Sequence, residues 1–407
     1  MIQSPFNLSA ALATVRRSAE QIGTDEQCSR ALVGMGKAID QGLDDILEAN
    51  TLDLEISRDM AVPELVAEWL KLTPERVKTA ANVCHRLAAM GAAPLAVSAD
   101  VSSSSYSQLR PLGIVGYIYE ALPDLAVIAA ALCIRTGNAL VLRGGSEASR
   151  TNQIIAHILQ SSLAEAGLPE TLILSVEHTE VSRLEMAQCS DIDLIIPHGR
   201  PSLVEQVVET ATIPVIPSRM GNCYLYWSAS GAIDQVYHMI VSSYKGTPDA
   251  VNRVEKVVFH ESHSATMLTR LWTRLREAGF ELKADAAIAQ EHSLSAAGPL
   301  DWGSAYLKRT IAFHQVKDTG EALRWINLYS SGHADSIATT DYTDSRLFSA
   351  QCRSTALYIN TSPQFIRNTE HPGEIALGIS DRKGIAGGLI GMMMMKERQR
   401  IFPGDPS

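Results

Sequence analysis

An α/β protein built on doubly wound open sheets is what this sequence predicts, on three observations. The first hundred residues read as helix. From residue 112 to about 217, short apolar runs alternate with helical segments. A second alternating unit then spans about 225–365.

The elements follow in order. Thr24-Asp25-Glu26-Gln27 has the form of a capping box, and Leu32, Ile39, Leu43, Ile46 and Leu47 recur behind it at helical spacing. In Leu72-Thr73-Pro74-Glu75, Thr73 is placed to cap a helix and Pro74 to occupy its first position. Residues 94–110 mix Pro, Ser and alternating polar positions, which suits an extended crossing segment. Leu112–Tyr119 reads as a buried strand, 125–135 as a helix, Ala139–Arg143 as a strand and Glu147–Ala166 as a helix. Leu172–Ser175, Leu194–Pro197 and Pro214–Pro217 read as further short parallel strands. The second unit offers a helix at 231–245, a strand at Val254–Phe259, a helix at 264–278 and a strand at Thr355–Ile359. The expected division is 1–224, including the crossing segment, then 225–365, then a packing tail over 366–407. On open sheets of this kind ligands bind at the carboxyl ends of the strands, here near Tyr119–Pro123, Arg143–Ser146 and His198–Arg200.

Composition narrows the function. Of 407 residues, 46% are hydrophobic and 20% charged, an ordinary globular balance. The net charge of −10 argues against nucleic acid or an anionic membrane as partner. No apolar run is long enough to span a bilayer, and Met1-Ile2-Gln3-Ser4-Pro5 lacks the order of a signal peptide. Six cysteines (Cys28, Cys84, Cys133, Cys189, Cys223, Cys352) are scattered without a CxxC pair, as reduced thiols in a cytoplasmic protein would be. Met392–Met395 cannot all face one side of a helix and suit a buried packing or dimer segment. His260-Glu261-Ser262-His263 has the wrong spacing for a helical metal pair, and no metal is expected.

Arg110-Pro111-Leu112-Gly113-Ile114-Val115-Gly116-Tyr117-Ile118-Tyr119-Glu120-Ala121, Thr136-Gly137-Asn138-Ala139 and Leu142-Arg143-Gly144-Gly145-Ser146-Glu147-Ala148 together resemble the γ-glutamyl phosphate reductase family of the aldehyde dehydrogenase superfamily. Thr212–Ile216, Ala284–Ala287 and Tyr358-Ile359-Asn360 add to a likeness that covers nearly the whole chain. The resemblance implies a Rossmann-like nucleotide domain, a catalytic domain of related fold and an oligomerising arm, and hence a homodimer. It also implies NADPH-dependent reduction of γ-glutamyl phosphate to glutamate semialdehyde, a proline-pathway step, through a cysteine thioester.

Measured against that family, the reacting centre is altered. Val251 stands at the position of the family's cysteine in Gly246-Thr247-Pro248-Asp249-Ala250-Val251-Asn252-Arg253-Val254-Glu255, and valine cannot form a covalent adduct. Asp124 stands at the family's asparagine, where a carboxylate would repel a developing oxyanion, and Leu122 replaces an arginine. His198-Gly199-Arg200-Pro201-Ser202 replaces a glycine-rich turn, so Arg200 and Ser202 stand against the NADP that the resemblance implies. Ser218-Arg219 replaces a glycine pair.

Candidate catalytic residues are Asn252, Glu255 and Asp249; none takes the cysteine's place outright. Candidate cofactor contacts are Arg143, Gly144, Gly145, Ser146, Glu147 and Gly199, and candidate ligand contacts are Tyr119, Glu120, Arg200, Arg219, Asn360 and Glu374. The expected function is a reductase-like protein that has lost thioester chemistry and retains the inter-domain cleft for binding, or for a non-covalent reaction on, a glutamate-derived or other small anionic ligand. The alternatives are an active reductase with a replacement nucleophile and a structural or regulatory partner of a proline-pathway enzyme.

Overall fold

Short local signals decide the first helices. The computed structural model describes residues 6–21, 23–90, 96–99, 105–383 and 387–403. The chain divides into two compact units: Met1–Ser218 with Arg367–Leu377 and Leu389–Ser407, and Arg219–Ile366 with Gly378–Gly388. The first unit opens with α1 (Leu8–Glu20), α2 (Asp25–Gln41), α3 (Leu43–Asp59), α4 (Glu64–Leu70) and α5 (Pro74–Ala89). Thr24 and Gln27 form the expected reciprocal box at α2, and Thr73 accepts from the Arg76 N–H with Pro74 beginning α5. Extended strands β1 (Ala96–Ala99) and β2 (Tyr106–Pro111) follow, paired antiparallel. Residues 94, 95 and 100–104 of the expected crossing segment lie outside the described residues, as do Met1–Pro5.

A four-stranded sheet with its helices comes next, as β3 (Ile114–Tyr119), α6 (Asp124–Thr136), β4 (Ala139–Arg143), α7 (Ser149–Glu165), β5 (Ile173–Ser175), α8 (Arg183–Ala187), β6 (Leu194–His198) and α9 (Pro201–Thr210). All four strands are parallel, in the order β5-β4-β3-β6. Chain order reverses between β3 and β6, so the loops after these two strands flank the switch point. Every residue of β3, β4, β6 and α6 is buried, which is why they read as unbroken apolar runs. Pro214–Pro217 does not form the expected strand: Val215 makes a single parallel bridge to Ile195. Two prolines in four residues remove the N–H groups that a longer ladder needs.

The second unit contains β7 (Cys223–Trp227), α10 (Ile233–Ser243), β8 (Val254–His260), α11 (Ala265–Glu277), β9 (Glu281–Ala284), α12 (Ala286–His292), β10 (Ser295–Ala296), α13 (Pro299–Gly303), β11 (Thr310–Val316), α14 (Thr319–Tyr329), β12 (Ala334–Ala338), α15 (Tyr342–Gln351) and β13 (Ala356–Ile359). Its sheet is parallel throughout, in the order β10-β9-β11-β8-β7-β12-β13. The two-residue alternation of β7 sends Leu225 and Trp227 into a core with α10 and α11, and Tyr224 and Tyr226 into one with α14 and α15. Burying each large side chain contributes about 1.5–3 kcal/mol.

The chain ends with β14 (Ala376–Ile379), β15 (Leu389–Gly391) and β16 (Lys396–Ile401), the last antiparallel to β2. Met392–Met395 is one 3₁₀ turn, in which residues three apart eclipse, so Met392 and Met395 are buried while Met393 is exposed. Among the described residues no helix is long and apolar enough to cross a membrane.

Candidate functional site

Glu120 follows β3 and Arg200 follows β6, so the parallel pairing of Tyr119 with His198 brings them face to face. Arg200 donates from Nη2 to Glu120 Oε1 at 2.6 Å and from Nε to Oε2 at 2.9 Å, and its backbone N–H reaches Oε2 at 3.2 Å. Burial pushes the Glu120 carboxyl up, but the hydrogen bonds and charge of Arg200 outweigh it and hold the group below its ordinary value. The fork contacts this loop from Arg200, while position 122 carries a buried leucine.

The neighbouring candidates turn inward as well. Glu147 folds back so that its Oε1 accepts from the Ala121 N–H at 2.5 Å. A Cβ on Gly145 would lie 2.0 Å from that oxygen, and one on Gly144 would lie 2.1 Å from Asn152 Nδ2. These glycines therefore make room for the protein's own side chains. Tyr119 donates its buried hydroxyl to Asn152 Oδ1 at 2.9 Å. Arg143 is buried and donates to the Val181 and Gly144 carbonyls; burial lowers its guanidinium to about 10. Ser146 begins the 3₁₀ turn that leads into α7.

Asp124 corrects an expectation. Its carboxylate takes the Nε of Arg76 at 3.2 Å and the Nη2 as well, while Arg76 also donates to the Trp69 and Lys71 carbonyls. It acts as one half of a largely buried ion pair that ties α6 to the first turn of α5, so its charge is compensated rather than presented to a reacting oxygen.

Asp249, Val251 and Asn252 lie in the second unit, on the turn between α10 and β8, and Glu255 lies in β8 itself. Gly246, at φ +103°, and Pro248 break the helix, and the Ala250 N–H closes on the Thr247 carbonyl. Val251 is fully buried, and its carbonyl accepts from the Gly221 N–H and from His333 Nε2, each at 3.0 Å. A carbonyl only accepts, so His333 carries its proton on Nε2. Asn252 donates to the Tyr358 hydroxyl at 3.2 Å. Glu255 accepts from the N–H groups of Asn222, Tyr306 and Leu307 at 2.7–3.0 Å, which clamps a loop rather than leaving a base free. Asp249 is fully buried in the same turn.

Cys223 lies 3.3 Å from His333 Nε2, next to the turn, but burial raises its thiol well above the ordinary value. Its neighbours Asp335 and Glu255 add to that rise. The other remaining candidates are structural or exposed. Arg219 pairs with Asp381 at 3.3 Å. Asn360, at φ +57°, exchanges both amide bonds with Thr339 across the ends of β12 and β13. Glu374 is exposed in a short 3₁₀ turn.

No family model matches the chain. It is, however, 40% identical to γ-glutamyl phosphate reductase 2 of Synechocystis sp., over 93% of this chain and 92% of that one. The chain belongs to the γ-glutamyl phosphate reductase family. The solved γ-glutamyl phosphate reductase of Thermotoga maritima superposes with a TM-score of 0.88 at 27% identity, covering 97% of this chain and 98% of that one. A probable aldehyde dehydrogenase from Listeria monocytogenes shares the fold, with a TM-score of 0.71 at 16% identity over 98% and 96% of the two chains.

Within this γ-glutamyl phosphate reductase family member, sequence patterns did not mark Arg76, Asp53 or His333 as site residues. Each acts on a segment far along the chain, and nothing local distinguishes it. The one signal was indirect: an unexplained Asp124 at the start of α6 needed a cationic partner.

Proposed function

We propose that this chain is a γ-glutamyl phosphate reductase-family protein that has lost the covalent thioester step and keeps a non-covalent role. Its ligand would be a glutamate-derived or other small anion. The observation that carries this reading is Val251: the turn that presents it is held by Gly221, His333 and Arg253, yet the side chain offers no nucleophile. A kept scaffold with an altered reacting atom suits binding better than decay. The proposal extends to a homodimer, and to a regulatory partnership with a proline-pathway enzyme.

A second reading, active reduction with a replacement nucleophile, draws on the contact between Cys223 and His333. Burial and the raised thiol weigh against it. The test combines glutamate semialdehyde, phosphate and NADP with purified protein. No NADP reduction is expected, whereas turnover that disappears in Cys223→Ser would establish the second reading. A thermal-shift screen of glutamate and proline checks the binding role: a ligand at a hundred times its Kd stabilises by about 2.7 kcal/mol. No shift with either at millimolar concentration would favour a purely structural subunit.

A further inference from the structure

The first unit holds its own acidic groups where a dinucleotide needs donors. A diphosphate binds at such a sheet through backbone N–H groups at helix N-termini and through glycine turns that let it approach. At α9 the N–H of Arg200 is taken by Glu120, Pro201 has none, and Leu203 and Val204 donate back to the Arg200 carbonyl. At α7 the N–H groups of Arg150 and Thr151 are taken by Asp53. The Ala121 N–H is taken by Glu147, which also fills the space beside Gly145. Three carboxylates thus take four of these N–H groups and compensate the positive helix ends. The Arg200 guanidinium, on the turn after β6, gives its Nε and one terminal nitrogen, Nη2, to Glu120.

We propose that the Arg200–Glu120 pair closes the switch point of the first unit to the diphosphate of a dinucleotide, making Arg200 the residue that sets its specificity against NADP(H). The family's cofactor does not fit the donor set present, and the site selects ligands without a diphosphate. This rests on the first unit alone and is independent of Val251.

The test is a titration of the full chain with NADPH, followed by its fluorescence and by calorimetry, with ADP-ribose as a second diphosphate probe. The wild type shows no saturable binding up to about 1 mM. Glu120→Gln with Arg200→Gly opens the turn without stranding a buried charge, and adding Pro201→Ala restores an N–H. These variants, shown folded by circular dichroism, bind NADPH at least about tenfold more tightly than the wild type. One-to-one binding of NADPH by the wild type at micromolar Kd overturns the proposal, whether or not the variants fold. Folded variants that gain nothing overturn it too. Either result leaves the loss of thioester chemistry standing, since that reading is decided by turnover and not by these titrations.

Discussion

The Asp53 carboxylate, on α3, accepts from both the N–H and the hydroxyl of Thr151, at 2.8 and 2.7 Å, and so caps α7 from a helix 98 residues away in sequence. The Arg150 N–H adds a third bond at 3.2 Å. Asp53→Ala strands these buried donors and is expected to cost about 1–3 kcal/mol. Urea unfolding reads it as a lower midpoint at unchanged slope; an unmoved midpoint would show that the cap contributes nothing.

Glu255 separates a structural from a catalytic role. Gln accepts at only one of the two oxygens that now serve three N–H groups, so Glu255→Gln is expected to destabilise by roughly 2–4 kcal/mol. Lys256, fully buried and 3.8 Å from Glu255, also loses its counter-charge. A variant that melts like the wild type would instead return Glu255 to the list of candidate bases.

Two buried groups give opposing pH dependences. Burial raises the Asp335 carboxyl to about 7, despite hydrogen bonds from Ser330, Ser354 and the Tyr224 N–H. An unfolded aspartate releases its proton near 3.9, so between about 4 and 7 the folded state holds the extra proton. Stability then falls as pH rises, by at most about 1.4 kcal/mol per pH unit. Burial lowers His333 to about 4, so between about 4 and 6.5 the unfolded state holds the extra proton and stability rises with pH. The two slopes cancel over most of this range. Asp335→Asn should unmask a rise in melting temperature relative to wild type from about pH 4.5 to 6.5, and His333→Asn a fall. Parallel curves for all three proteins would show that neither group titrates as its burial requires.

Val251→Cys restores the thiol on a turn whose backbone is already clamped, at a stability change of about 1 kcal/mol. No NADP-linked turnover is expected, because the first unit still closes its diphosphate site through Arg200 and Glu120. Full recovery from this one substitution would sink the closed diphosphate site, and would trace the loss of thioester chemistry to Val251 alone.

Much of the fold was legible because its signals are local. Thr24 with Gln27, Thr73 with Pro74, and the apolar runs of β3, β4 and β6 act within a few residues. β11 and β12 were harder to read. Asp335 and His314 interrupt them with polar groups satisfied in large part by distant partners: Tyr224 and Ser354, beside the nearby Ser330, for Asp335, and Asp285 for His314. Pro214–Pro217 has the apolar composition of a strand, but its two prolines lack the N–H groups that a ladder needs.

By itself the sequence determined the α/β class, the family and the absence of a thiol at position 251, since all three reside in residue order and identity. Tertiary structure decided what the substituted groups do. Asp124 meets Arg76, Arg200 meets Glu120, and Glu255 meets three N–H groups of other segments. Whether a buried carboxylate repels a ligand or holds a loop depends on which donors lie within hydrogen-bond reach of it. That proximity is created by the fold, between residues that the chain keeps far apart.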